Sequence, residues 1–250
     1  MIKLILLGFV QGLTEFFPVS SSAHLIIGQH FLGLTENLVF LDISLHIGTL
    51  LSLFAFFYKD ILASLRNPRM LGLILIVTVV TAAIGLSFMK LFRSCFESPS
   101  TVAAILVLNG LLILGTKFIK KGERKPGPFD SVLTGFSQGL AITPGLSRSG
   151  ATISTLLLRR IHREEAFLFS FLASIPAILG AFVYEARDVD WTMIREYSPA
   201  ALAAGILSAF LTGLLALWIL KKSLTGDKFH VFGYYCLLAG TAFFLLLKFR

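Results

Sequence analysis

QGLTEFFPVSSSAHL, residues 11–25, is the stretch that decides how this chain folds. It places a glutamate, a proline, three consecutive serines and a histidine in one of the first apolar segments. This composition predicts a break between two short helices, because proline interrupts a helix and serine favours the position that caps the next one. Broken backbone inside a membrane is tolerated only where it is buried in protein or lines a wet cavity.

The rest of the chain is apolar enough to lie in a membrane. Of 250 residues, 56% are hydrophobic and 14% are charged, whereas soluble domains carry about 25% charged residues. Six segments approach the roughly 20 residues that a membrane-spanning helix needs. They are residues 38–58, 70–89, 101–119, 166–184, 200–220 and 229–247. We predict an all-α polytopic membrane protein with a single membrane domain over residues 1–250, since a β-barrel would show short alternating segments instead.

The charge and the cysteine content indicate which classes of partner to expect. The net charge is +8, but the basic residues cluster in short loops between spans, which indicates topology and anionic lipid headgroups. We therefore expect membrane lipids and no nucleic acid as partners. Cys95 and Cys236 are isolated and form no metal-binding spacing. The first apolar run, residues 4–10, is short and is followed by Gln11 and Glu15, so we expect a retained N-terminus.

The sequence repeats itself at about half its length. GFVQGL at residues 8–13 returns as GFSQGL at 135–140, and PVSSSAH from Pro18 aligns with PGLSRSGA from Pro144. Chance similarity between apolar segments is the weaker explanation, because the repeats share Gln-Gly, proline and serine. We predict a duplicated membrane unit, with repeat one at about 1–125 and repeat two at about 126–250.

Each repeat begins with two short apolar pieces, residues 2–14 and 22–32 in the first and 129–142 and 149–161 in the second. Helices of this length reach about 16–21 Å, less than the ~30 Å hydrocarbon core. We predict that each pair is re-entrant and is followed by three spans. An odd number of crossings per repeat makes the two repeats inverted in topology, so that the tips of the pairs can meet near the midplane.

Loop charges predict the orientation. Net basic loops at residues 59–69, 117–125, 159–163 and 221–228 are assigned to the cytoplasm, and the acidic loop at 185–196 to the outside. Lys90, Arg93, Lys248 and Arg250 fall on the outer side and weaken this assignment.

The two tips have the chemistry of an anion site. Residues 20–22 precede one half-helix and residues 147–149 the other, so the serines there cap the helices at the least. Two half-helices that begin at depth direct free N–H groups and positive dipole ends into one space. Arg148 adds a permanent charge whose fork suits phosphate. The alternative role of Arg148 is an ion pair with Glu15 that holds the two repeats together. The same guanidinium can form this ion pair and also bind phosphate.

Several further polar residues accompany the first tip. Glu15 can orient a histidine, accept a proton or bind a divalent cation. With Ser21 and His24 it supplies the three residue types of a nucleophile, base and orienting group. Asp42 and His46, four residues apart, either support the residues that touch the substrate or face the entry to the cavity. An in-line attack on a phosphate is the favoured chemistry, and a lipid phosphate is the simplest substrate at a midplane site.

The motifs resemble a known family. QGLTEFFPVSSSAH is similar to the first signature of bacterial undecaprenyl-pyrophosphate phosphatases of the bacitracin-resistance type, and PGLSRSGAT, residues 144–152, to the second. FSFLASIPAILGA, residues 169–181, looks like the segment that follows. The resemblance covers essentially the whole chain. It implies hydrolysis of the C55 isoprenyl diphosphate to the monophosphate, which recycles the lipid carrier for peptidoglycan in the bacterial cytoplasmic membrane and confers bacitracin resistance.

The resemblance also implies roles for residues. Ser21 is the favoured nucleophile, and His24 or an activated water is the alternative. His24 and Glu15 form the acid/base pair, and Arg148 binds the phosphates. The expected substrate-binding residues are Gln11, Ser20, Ser22, Ser147, Ser149 and Thr152. Many relatives have glutamate where this chain has Gln11, so any Mg²⁺ or Ca²⁺ beside Glu15 is expected to be held partly by substrate phosphates. No organic cofactor is expected.

Two alternatives stay open at this stage. A transporter or flippase for a phosphate-bearing or isoprenoid-linked substrate would use the same inverted architecture, but it needs no nucleophile such as Ser21. A non-catalytic structural protein leaves Arg148 and the paired tips unexplained. The sequence does not decide between a monomer and a homo-oligomer.

Overall fold

The computed structural model describes residues 1–33, 38–96, 98–187 and 197–248, and helices make up nearly all of these ranges. The helices are α1 Ile2–Phe16, α2 Ser21–Phe31, α3 Leu38–Leu65, α4 Pro68–Ser87, α5 Met89–Phe96, α6 Pro99–Gly115, α7 Pro128–Leu140, α8 Arg148–Leu158, α9 Arg163–Glu185, α10 Pro199–Thr225 and α11 Val231–Lys248. A 3₁₀ turn, Thr116–Phe118, extends α6.

Five helices are long and apolar enough to cross a membrane, namely α3, α4, α6 with its 3₁₀ turn, α9 and α10. The sixth predicted span corresponds to α11, whose apolar stretch Val231–Leu247 is shorter than the other five. The chain is therefore a multi-pass helical membrane protein, as predicted. The number of crossings in the second repeat, and with it the inverted topology, stays a prediction.

Two element boundaries differ from the sequence prediction. Span 70–89 was expected to be one helix, but Phe88 leaves helical geometry at φ −110° and ψ 15°, and a separate short helix, α5, follows. Helix α3 continues seven residues past its predicted end and takes Lys59 with it. That basic residue therefore lies on a helix rather than in the predicted loop 59–69. The acidic residues at 188–196, which carried the outer-side assignment, lie outside the described residues.

The glycines of the repeated motifs explain how the short helices pack. In GFVQGL, a Cβ on Gly8 would overlap the carbonyl oxygen of Gly205, so α1 lies directly against α10. In GFSQGL, a Cβ on Gly135 would lie 2.8 Å from the carbonyl oxygen of Val77, so α7 lies directly against α4. Small residues four apart permit this close approach of membrane helices. Each first short helix thus packs on the second span of the other half.

An aromatic cluster joins the first short helix to the spans behind it. The ring centroids of Phe16 and Phe171 are 5.8 Å apart, and those of Phe57 and Phe171 are 5.6 Å apart. Phe16 is fully buried and follows Glu15 directly. This packing fixes the end of α1, and therefore the position of the Glu15 carboxylate.

Candidate active site

The two breaks predicted from sequence meet and bond to each other. The Gly145 N–H donates to Ser20 Oγ at 3.1 Å, and Ser147 Oγ donates to the Phe17 carbonyl oxygen at 3.4 Å. Both breaks contain a left-handed residue, Gly145 at φ +94° and Ser20 at φ +67°. Glycine adopts this conformation freely, whereas a serine there is held by its surroundings.

A residue that the sequence reasoning missed holds both breaks at once. Asn109 on α6 is fully buried. Its Nδ2 donates to the Pro18 carbonyl oxygen at 3.0 Å, and its Oδ1 accepts from the Ser147 N–H at 3.2 Å. Cys236 on α11 adds a third link, with Sγ 3.3 Å from the same Pro18 oxygen. The available signal was an amide in the middle of an apolar span, where a polar side chain needs partners.

The serines of the two tips make matching contacts. Ser20 Oγ lies 3.2 Å from Ser22 Oγ, and Ser147 Oγ lies 3.2 Å from Ser149 Oγ. Ser147 also caps α8 by accepting from the Gly150 N–H, as predicted for serines at these positions. These four hydroxyls therefore shape the tips.

The hydroxyl of Thr152 faces the protein interior. It donates to the Arg148 carbonyl oxygen at 2.8 Å and lies 2.6 Å from Ser170 Oγ on α9. In this structure Thr152 thus steadies the turn that carries Arg148.

Glu15 lies at the centre of the site, with a side chain only 9% exposed. Its Oε1 accepts from Arg148 Nη2 at 2.6 Å, and its Oε2 accepts from Ser21 Oγ at 2.8 Å. Gln11 Nε2, one helical turn earlier, also donates to Oε2 at 3.2 Å. The carboxylate therefore connects the arginine of one tip to the serine of the other.

His46 reaches this centre directly. Its Nε2 lies 3.4 Å from Glu15 Oε2, and its Nδ1 lies 2.7 Å from the Asp42 carbonyl oxygen. The Asp42 side chain accepts from Gln29 Nε2 at 2.6 Å. Of the predicted i, i+4 pair, His46 touches the Glu15 carboxylate, whereas Asp42 contributes through its backbone.

His24 has different neighbours from those expected. Its Nδ1 lies 2.8 Å from the Ser20 carbonyl oxygen, and its Nε2 lies 2.7 Å from the Tyr235 hydroxyl on α11. Ser21 contacts the Glu15 carboxylate without a histidine between them. The structure therefore brings Glu15, Ser21 and Arg148 together, and it places His24 at the adjacent face of α2 with Tyr235, which sequence reasoning missed.

Two buried polar atoms at the site have no hydrogen-bond partner within the described protein. They are Arg148 Nη1 and Gln11 Oε1. A buried donor without a partner costs about 1–3 kcal/mol, and more when it is charged. A cationic N–H left open beside two helix N-termini is suited to an anionic oxygen.

The donor set does not fit a divalent cation held by protein ligands alone. Within the described ranges, no group of three or more histidine, cysteine, aspartate or glutamate side chains is arranged to hold a metal. Glu15 is the one carboxylate of the tip, and Arg148 occupies one of its oxygens. A guanidinium at that distance opposes a second positive charge.

These features define a multi-pass helical membrane protein with a buried, anion-directed polar site at the junction of two broken helix pairs. The chain belongs to the family described as bacitracin resistance protein BacA, whose model matches residues 4–242.

Curated relatives agree with this assignment over nearly the full chain. An undecaprenyl-diphosphatase of Alkaliphilus metalliredigens is 41% identical over 263 residues, covering 96% of this chain and 96% of the relative. A protein of the same name from Carboxydothermus hydrogenoformans is 39% identical and covers 97% of this chain and 95% of the relative. Another, from Syntrophotalea carbinolica, is 38% identical and covers 97% of both chains.

Proposed function

We propose that this protein is an integral-membrane phosphatase that hydrolyses undecaprenyl diphosphate to undecaprenyl phosphate and inorganic phosphate. The reaction recycles the lipid carrier for peptidoglycan synthesis and thereby confers bacitracin resistance. The observation that carries the proposal is the Glu15 carboxylate, which accepts hydrogen bonds from Ser21 on one oxygen and from Arg148 on the other. The second terminal nitrogen of Arg148 has no hydrogen-bond partner among the described residues. The family and the names of the relatives support it.

The arrangement explains how substrate can start the reaction. The terminal phosphate binds Arg148 Nη1 and the N-termini of α2 and α8, which neutralise its charge. Phosphate competes with Glu15 for the guanidinium, so binding weakens the Arg148–Glu15 ion pair. The carboxylate then becomes a stronger base toward the Ser21 hydroxyl, which already donates to it.

Ser21 Oγ attacks the terminal phosphorus as Glu15 takes its proton. The bond from that phosphorus to the bridging oxygen breaks, and undecaprenyl phosphate leaves. Water then attacks the phosphoserine, which releases inorganic phosphate and restores Ser21. His24 and an activated water remain the alternatives for the attacking group.

The remaining partners follow from the same proposal. A Mg²⁺ or Ca²⁺ ion is proposed only as an ion bound mainly by the substrate phosphates, because the Glu15 carboxylate beside them is already paired with Arg148. Location in the bacterial inner membrane agrees with the family and with five apolar helices. Retention of the N-terminus and the inverted topology stay predictions, and a homo-oligomer stays as open as a monomer.

The test is phosphate release from undecaprenyl diphosphate by the purified protein in detergent. We expect turnover by the wild type, and a loss in kcat of about 100-fold or more for both Arg148→Ala and Glu15→Gln. Gly180→Ala is the matched control, because Gly180 lies on α9 with open space where a Cβ would be.

Two outcomes would contradict the proposal or part of it. Release no faster than with heat-denatured protein rejects the phosphatase and favours the transporter, which would bind substrate without cleaving it. A Ser21→Ala variant with near wild-type kcat rejects Ser21 as the nucleophile and leaves the phosphatase standing.

A further inference from the structure

Tyr235 lies outside every motif quoted from the sequence, yet it contacts His24, which the family resemblance assigns to the acid/base pair and which stays an alternative for the attacking group. It sits one turn into α11, in a segment that reads as ordinary apolar span. Its hydroxyl lies 2.7 Å from His24 Nε2, and the two rings are stacked at a centroid distance of 5.7 Å. Hydrogen bond and stacking together fix the imidazole from one side.

The other contact of His24 decides which nitrogen carries the proton. Nδ1 lies 2.8 Å from the Ser20 carbonyl oxygen, and a carbonyl oxygen can only accept. Nδ1 is therefore the protonated nitrogen. In the neutral imidazole Nε2 then has the lone pair, and the Tyr235 hydroxyl donates to it.

Both anchors of His24 are themselves held by the junction of the two breaks. Ser20 has a left-handed φ of +67°, and its Oγ accepts from the Gly145 N–H of the second break. Cys236, the neighbour of Tyr235, is buried against the Pro18 carbonyl oxygen of the first break. The tautomer and direction of His24 thus depend on the assembled site.

We propose that Tyr235 is a positioning residue of the phosphatase reaction, because its hydroxyl and its stacked ring hold the His24 imidazole in one orientation. The Ser20 carbonyl oxygen sets the Nδ1–H tautomer, which leaves Nε2 as the reactive nitrogen. The Tyr235 ring is about half exposed, at 47% of the residue surface. A water molecule, which can donate a hydrogen bond as the hydroxyl does, can therefore replace the hydroxyl on Nε2 without displacing a buried ring. This inference rests on the proposed function and adds a residue to it.

The first test compares Tyr235→Phe with Tyr234→Phe. Phenylalanine keeps the stacked ring and removes only the hydroxyl. Tyr234 is the matched control because it is equally exposed and its hydroxyl instead accepts from Lys117 Nζ. We expect Tyr235→Phe to lower kcat about tenfold with KM changed less than about twofold, since loss of an orienting partner costs about 10–100-fold. Tyr234→Phe should match the wild type.

A double-mutant cycle separates action through His24 from a general structural role. Single-turnover rates are measured for His24→Ala with and without Tyr235→Phe, with enzyme in excess so that slow rates are resolved. We expect the tenfold effect of Tyr235→Phe to disappear when His24 is absent. An undiminished effect in the His24→Ala background overturns the proposal, as does a kcat for Tyr235→Phe equal to or above that of the wild type.

A third measurement does not depend on catalysis. Diethyl pyrocarbonate modifies unprotonated imidazole nitrogen, and mass spectrometry reports the rate at the His24 peptide. We expect Tyr235→Phe to speed this modification several-fold, because Nε2 loses its hydrogen bond, with Tyr234→Phe unchanged. Equal rates in all three proteins overturn the inference. If the wild type released no phosphate, the proposed function would fail by itself, and this rate would still report on the hydrogen bond.

Discussion

Replacing Asn109 with leucine should destabilise the protein through its two re-entrant breaks. Leucine has a similar volume, so the main loss is polar: the bond to the Pro18 carbonyl oxygen and the bond from the Ser147 N–H. The Pro18 oxygen keeps its contact with Cys236 Sγ, whereas the Ser147 N–H is left buried without its acceptor. A lost bond costs about 1 kcal/mol net and a stranded buried group about 1–3 kcal/mol, so we expect a loss of about 2–4 kcal/mol.

The assay is reversible unfolding in mixed micelles, followed by far-ultraviolet circular dichroism. Leu108→Ala is the control, because this neighbour on the same helix is 61% exposed and faces away from the breaks. It should change the free energy of unfolding by less than about 1 kcal/mol. A free energy of unfolding for Asn109→Leu within about 0.5 kcal/mol of the wild type would refute the reasoning that this amide holds the two breaks together.

Three further substitutions test other parts of the structure. Gly12→Ala places a Cβ against Thr212 Oγ1 and the Ala209 carbonyl oxygen, so it should push α1 away from α10 and lower the free energy of unfolding by about 1–3 kcal/mol. Gly180→Ala, with open space where its Cβ would lie, should raise that free energy by about 0.5–1 kcal/mol. Equal free energies of unfolding for the two variants would contradict the packing. Arg148→Lys keeps the charge but loses the second donor of the fork, so kcat for phosphate release should fall at least about tenfold, and an unchanged kcat would show that Nη1 does not bind substrate. Asp130→Asn removes the negative charge that Arg124 and Arg159 contact at 2.8 Å and 2.9 Å, and it replaces one accepting oxygen with a donor. It should therefore lower the melting temperature while leaving the KM for substrate unchanged; a raised KM would place this cluster in substrate binding.

The sequence predicts the parts of this molecule that depend on local chemistry. Proline and hydroxyl residues mark both breaks, and the short helices begin and end within three residues of the predicted bounds. The ion pair between Arg148 and Glu15 was an explicit alternative, because two isolated charges in an apolar chain have few other partners. The break at Phe88 was not predicted, since its apolar neighbours have the same pattern as the span before it.

Contacts between distant segments were the harder part. Asn109 binds Pro18 across 91 residues of sequence, and Tyr235 binds His24 across 211. Helical periodicity shows that a span exists, but a span that is apolar all round does not reveal which face meets the site. For the same reason His24 was grouped with Glu15 by its position in the motif, whereas the direction of its side chain depends on where α11 packs.

Ser21 and Arg148 have a relationship that sequence order conceals. They stand 127 residues apart, one in each half of the chain, and they bind the two oxygens of one carboxylate. The acid and the hydroxyl of this site therefore come from the first half of the chain, and the cation comes from the second. The contacts among Glu15, Ser21 and Arg148 form only when both halves fold against each other, so this site is a property of the whole membrane domain and not of either half.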